Sequence, residues 1–112
     1  MKHFLAAVLS LGLAGEAIAV GSVSNAHVTQ VRVEADGRGI VFFDQNLAGA
    51  GAACGQDNVY KNAMAFNMTT GKALLAVALV AKSAGTTIDA YGSGACGVYG
   101  DYVEDFSYAV NH

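Results

Sequence analysis

The sequence predicts a mainly β fold with one helix, of the α+β class, with elements in the order β-β-β-α-β-β and one disulfide. Three observations lead to this. Residues 28–43 alternate, turn and then run apolar, as a hairpin does; residues 72–84 repeat at helical spacing; and Cys54 and Cys96 form the smallest even set of cysteines.

The elements follow in chain order. From Val28 to Ala35 the residues Thr29, Val31, Val33 and Ala35 fall on one face, and Gln30, Arg32 and Glu34 on the other. Period two with β-branched side chains marks a half-buried strand. Asp36-Gly37-Arg38-Gly39 is a turn signal, and Ile40-Val41-Phe42-Phe43 runs apolar without a break, as a strand covered on both faces does. Residues Asn46 to Asn58 form a Gly/Ala-rich loop around Cys54, and Ala63-Met64-Ala65-Phe66 is a third strand.

Thr69 or Thr70 then caps a helix from Lys72 to Ala84, with Gly85 as its left-handed stop. Ala73, Leu74, Ala76, Val77, Val80, Ala81 and Ala84 share one broad side of it. Lys72, Lys82 and Ser83 lie opposite, together with Leu75 and Leu79, where a monomer's surface helix normally carries charge. Leu75 and Leu79 are therefore expected at a subunit interface. Thr86 to Tyr91 is the fourth strand, Gly92 to Gly97 a loop holding Cys96, and Tyr102 to Val110 the fifth strand. In that last strand Tyr102, Glu104, Phe106, Tyr108 and Val110 share a side.

Residues 1–19 have the pattern of a signal peptide. Met1-Lys2-His3 is a short positive start, Phe4 to Ala14 is an apolar stretch, and Ala17-Ile18-Ala19 supplies the small–x–small cleavage pattern. Residues 20–112 are then expected to form a single secreted or periplasmic domain, in a compartment where Cys54 and Cys96 oxidise to each other. The bond closes a loop worth about 4 kcal/mol on the chain-entropy account. The apolar start is too short to span a bilayer, so no membrane span is expected.

Composition narrows the function. The chain is 54% hydrophobic and only 13% charged, an apolar excess that small exported folds commonly bury by self-association. Its net charge is −3, and removal of Lys2 and Glu16 with the leader leaves that value unchanged. Arg32, Arg38, Lys61, Lys72 and Lys82 are scattered, which argues against a nucleic-acid partner. Nothing points to an enzyme, a cofactor or a metal: His27 and His112 stand at the two ends of the mature chain, and the cysteines are committed to each other. Asp101, Glu104 and Asp105 form the acidic cluster, expected as a solvated turn and strand edge. The tyrosines are the more informative set, since aromatic faces stack on sugar rings and phenol hydroxyls meet their OH groups. Tyr102 and Tyr108 are expected in the core, Tyr91 and Tyr99 exposed beside the Cys96 loop.

A small secreted barrel with one helix between its third and fourth strands has the layout of an OB-fold. The run Leu79-Val80-Ala81-Lys82-Ser83-Ala84-Gly85-Thr86-Thr87-Ile88-Asp89-Ala90-Tyr91-Gly92 resembles the helix exit and following strand of subtilase cytotoxin B-subunit-like proteins. Ser93-Gly94-Ala95-Cys96, Val98-Tyr99-Gly100 and Val103-Glu104-Asp105-Phe106-Ser107-Tyr108 are similar to the closing part of small secreted bacterial members. The resemblance implies an OB-fold-like barrel that assembles as a pentameric ring with the helices at its centre, which gives Leu75 and Leu79 a place. It also implies binding of cell-surface, sialylated glycans through a serine and a tyrosine, here Ser24 and Tyr91, and a catalytic A subunit as partner. Tyr99 joins the ligand-binding set on its position in the Cys96 loop. The alternative is an envelope or secreted module of the same fold that binds or inhibits a protein.

Overall fold

The hairpin forms where the alternation ends. In the computed structural model, which describes residues 20–49, 54, 57–100 and 102–112, β2 (Val28–Val33) pairs antiparallel with β3 (Arg38–Phe43). Val31 faces Val41 and Arg32 faces Ile40. The turn is closed by the Glu34 amide donating to the Arg38 carbonyl at 2.7 Å and by Gly37 donating to Glu34 at 2.9 Å. Asp36 accepts the Arg38 amide at 3.1 Å and its Nε at 2.7 Å. The Arg38 amide, and then its guanidinium, hold the Asp36 carboxyl below its ordinary value. The signal-peptide segment and Asp101 lie outside the described residues.

The remaining elements are β1 (Ser22–Ala26), β4 (Ala63–Asn67), α1 (Lys72–Ala84), β5 (Ile88–Gly92) and β6 (Glu104–Asn111). The strands form one mixed sheet in the order β1-β5-β6-β4-β3-β2, with β4 and β6 parallel and the other neighbours antiparallel. Its first and last strands are successive pieces of chain divided only by His27. The sequence predicts five strands; the sixth, β1, carries little alternation, and its Asn25 adopts a left-handed φ of 49°.

The inner face of the sheet meets the helix. Val41, Phe43, Met64, Phe66, Ile88 and Phe106 pack there with Leu75, Ala78 and Ala81 of α1. Phe43 and Phe106 meet edge to face, with centroids 6.3 Å apart. On the outer face Ile40, Ala63 and Ala65 are covered by Tyr99 and Val103 from the β5–β6 connection. This double cover explains why Ile40 to Phe43 runs apolar without interruption.

Two expectations about α1 are corrected. Leu75 belongs to the core, whereas Leu79 is 46% and Val80 56% exposed. The buried stripe runs through Leu75, Ala78 and Ala81 with Leu74 and Val77 beside it, so the wheel is rotated from the one the apolar count favours. The helix start also differs, because Gly71 occupies the N-cap without a side-chain cap. Asn67 Oδ1 instead takes the Thr70 amide at 2.9 Å and the Thr70 hydroxyl at 3.1 Å, closing a turn before the helix begins. The C-terminus follows expectation: Gly85 has φ 71°, and Thr86 donates to the Ala81 carbonyl at 3.1 Å.

Candidate functional site

The β5–β6 connection is held at three points. Cys54 and Cys96 are bonded, with Cα atoms 6.2 Å apart, tying the β3–β4 connection to the β5–β6 connection. Asp105 accepts the amides of Gly97 at 2.9 Å and Val98 at 3.0 Å. Glu104 is only 1% exposed. Its carboxylate accepts the Gly21 amide at 3.2 and 3.0 Å, one to each oxygen, and the Gly94 amide at 2.9 Å.

Glu104 and Asp105 are therefore not the solvated edge expected of the acidic cluster, whose third member, Asp101, lies outside the described residues. Glu104 points inward because it shares a strand face with Phe106, and backbone amides offset the loss of hydration. Gly92 makes room for it: a Cβ there would collide with the Glu104 carboxylate.

This anchoring delivers Tyr99 onto the outer face of β3 and β4. It is 7% exposed, and its hydroxyl donates to Glu34 Oε2 at 2.6 Å. The Arg38 guanidinium lies 4.6 Å from its ring centroid. Burial first, and the Glu34 hydrogen bond second, push the phenol up from 10.0 to about 12. The folded state thus keeps Tyr99 protonated where the unfolded chain begins to ionise. Its contribution to stability is complete below the ordinary phenol value and is lost as pH rises toward about 12. Ultraviolet difference titration is expected to show one phenol ionising near 12, absent from Tyr99→Phe and moved part of the way down in Glu34→Gln. A count of phenols ionising at ordinary values that falls by one in Tyr99→Phe would contradict this.

Of the sequence-predicted ligand residues, the structure places Ser24 and Tyr91 on the adjacent strands β1 and β5 and leaves Tyr99 apart. Ser22 of β1 faces Tyr91 of β5, and Ser24 is exposed two residues along the same strand. Asp89, also on β5, accepts the Asn25 amide at 2.8 Å and lies 3.0 Å from His112 Nε2. The Asn25 amide, then His112, with a smaller effect from the Ser24 hydroxyl, lower the Asp89 carboxyl below its ordinary value. Tyr91 stacks on Tyr108 of β6, with centroids 4.4 Å apart and planes 17° from parallel.

Tyr108 is 55% exposed, and Tyr102 is exposed as well, so both leave the core that strand alternation predicts for them. A bulge is the reason for Tyr108. Tyr91 pairs with Tyr108 but Gly92 pairs with Phe106, so Ser107 is an extra residue and the alternation changes phase. Asp89 and Tyr108 are the residues that sequence reasoning misses. The available signal is register: a strand pair over 88–92 and 104–111 puts a second tyrosine opposite Tyr91.

The two histidines among the described residues are paired with carboxylates. His27 Nδ1 lies 3.1 Å from Asp44 Oδ2, and His112 is held both by Asp89 and by its amide donating to the Thr87 carbonyl at 2.9 Å. Among the described residues no group of three His, Cys, Asp or Glu side chains is placed to hold a metal, and no helix is long and apolar enough to cross a membrane. What the surface offers instead is a stacked aromatic pair on β5 and β6, with a carboxylate, a hydroxyl and an imidazole on the same or the neighbouring chain segments. No family model, curated protein or solved structure matches this chain.

Proposed function

We propose that this chain is an exported, non-catalytic glycan-binding protein with an OB-fold-like barrel, assembling as a ring in the manner of a toxin B subunit. The observation that carries the reading is the Tyr91–Tyr108 stack beside Ser24 and Asp89. Tyrosine faces accept the C–H side of a sugar ring, while an ionised carboxylate and a hydroxyl take its OH groups.

The sheet order supports the fold assignment. The broken strand β1–β2 occupies both ends, β4 and β6 run parallel, and α1 lies between β4 and β5, as in a partly open five-stranded barrel. The exposed Leu79 and Val80 supply an apolar helix face suited to a neighbouring subunit, Leu75 having been taken by the core. The disulfide is compatible with an extracellular or periplasmic location.

The test pairs a glycan array with solution mass by light scattering. Saturable binding by the wild-type oligomer is expected, with affinity lowered at least about tenfold by Tyr91→Ala or Tyr108→Ala, as loss of a stacking partner implies. Thermal unfolding should fall by no more than about 1 kcal/mol, since the lost contact is one aromatic pair. A folded oligomer that binds no sugar would favour the protein-binding alternative. A monomer would remove the ring.

A further inference from the structure

Where β4 gives way to α1, a cavity of about 340 Å³ opens against the β5–β6 connection. Its polar lining is Asn67, Thr70, Ser93, Asp105 and Ser107. Leu74, Val98 and Phe106 supply apolar wall. We propose that this cavity holds one neutral pyranose ring, the terminal residue of the glycan read by the tyrosine face; the assignment rests on the glycan-binding reading above.

The chemistry of the lining selects the ligand. Among the described residues no basic side chain borders the cavity, and the one ionisable group there, Asp105, is an acceptor that already bridges two backbone amides. An anionic ligand finds no countercharge there. Of the three hydroxyls, Thr70 donates to Asn67 and Ser93 donates to the Ala95 carbonyl, so both face a ligand chiefly as acceptors. Ser107 can both donate and accept, and the set matches a ligand whose own groups are hydroxyls. Asn67 spends its carboxamide oxygen on the Thr70 turn, which leaves its nitrogen to donate. The Ser107 hydroxyl makes no hydrogen bond to the described residues and the residue is exposed, so it is available. The apolar wall complements the C–H face of a ring, and the volume lies at the small end of ligand sites, roughly 300–1,000 Å³, which suits one ring rather than a chain.

Continuity with the tyrosine face supports the pairing of the two sites. Ser93 follows Tyr91 by two residues, and Ser107 immediately precedes Tyr108. The bulge that turns Tyr108 outward is the same irregularity that leaves Ser107 beside the cavity.

The experiment is a heteronuclear NMR titration of the purified protein with the methyl pyranosides of galactose, glucose, mannose and N-acetylglucosamine, and with methyl sialoside. At least one neutral pyranoside is expected to shift the amides of Thr70, Gly71, Ser93 and Ser107 saturably. Ser107→Val and Thr70→Val should each raise its Kd about fivefold, the loss of one neutral hydrogen bond. Two variants guard against one of them disturbing the fold. Shifts confined to Tyr91 and Tyr108 would overturn the cavity site and leave the glycan reading standing. Cavity shifts with the sialoside alone would overturn the neutral class. No saturable shift with any of them would overturn the cavity site, the array then deciding separately whether the protein binds glycans.

Discussion

Replacing Cys54 and Cys96 together by serine is expected to lower the unfolding free energy by about 4 kcal/mol, because the bond removes the closure entropy of a long loop from the unfolded chain. The two residues are 42 apart in sequence, and the loop they close contains β4, α1 and β5. A domain of this size has a total stability of about 5–15 kcal/mol, so the loss is a large share of it. Structure is affected as well as entropy, since the bond is one of the three holds on the connection that carries Tyr99 and Val103 across Ile40, Ala63 and Ala65. Urea denaturation of the double serine variant checks the expectation, with thiol-reduced wild type as an independent route to the same state. A loss under about 1 kcal/mol in both would mean that the unfolded chain is already constrained, or that native strain cancels the entropy.

The second large effect is at Glu104. Substitution by leucine is expected to cost at least about 3 kcal/mol, since the Gly21 and Gly94 amides lose a charged acceptor in a place water does not reach. Glutamine retains one oxygen and should cost less. The readout that separates this from general loosening is amide exchange. The Gly21 and Gly94 protons should exchange faster in Glu104→Gln while amides within α1 keep their protection. Gly92→Ala attacks the same contact from the other side, by placing a methyl where the carboxylate lies. Uniform acceleration across the chain, with no selective effect at Gly21 and Gly94, would show that these hydrogen bonds do not carry the stabilisation.

The candidate face is legible in part for a definite reason. Ser24 and Tyr91 are singled out through a family resemblance, and the pairing of β1 with β5 does bring them to adjacent strands. Tyr99 is chosen because it follows a glycine-rich loop, and loops are commonly exposed. Here the loop is pinned by Cys96, Glu104 and Asp105 and folded back onto the sheet, so its aromatic residue becomes core. Leu75 shows the same kind of error on a helix. With apolar residues all round α1, composition cannot say which stripe faces inward, and the sheet chooses the one through Ala78.

By itself the sequence determined the β2–β3 hairpin, the span of α1 and its left-handed stop at Gly85, the later strands and the union of Cys54 with Cys96. Each of these depends on neighbours along the chain, on residue chemistry at a turn, or on there being only two cysteines. Tertiary structure alone decided that Ser22–Ala26 is a strand, that Glu104 is internal, and that Tyr108 rather than Tyr99 meets solvent. The reason is distance in sequence. Glu104 is stabilised by an amide 83 residues away, and a one-residue bulge in β6 reverses an alternation that local pattern would carry straight through.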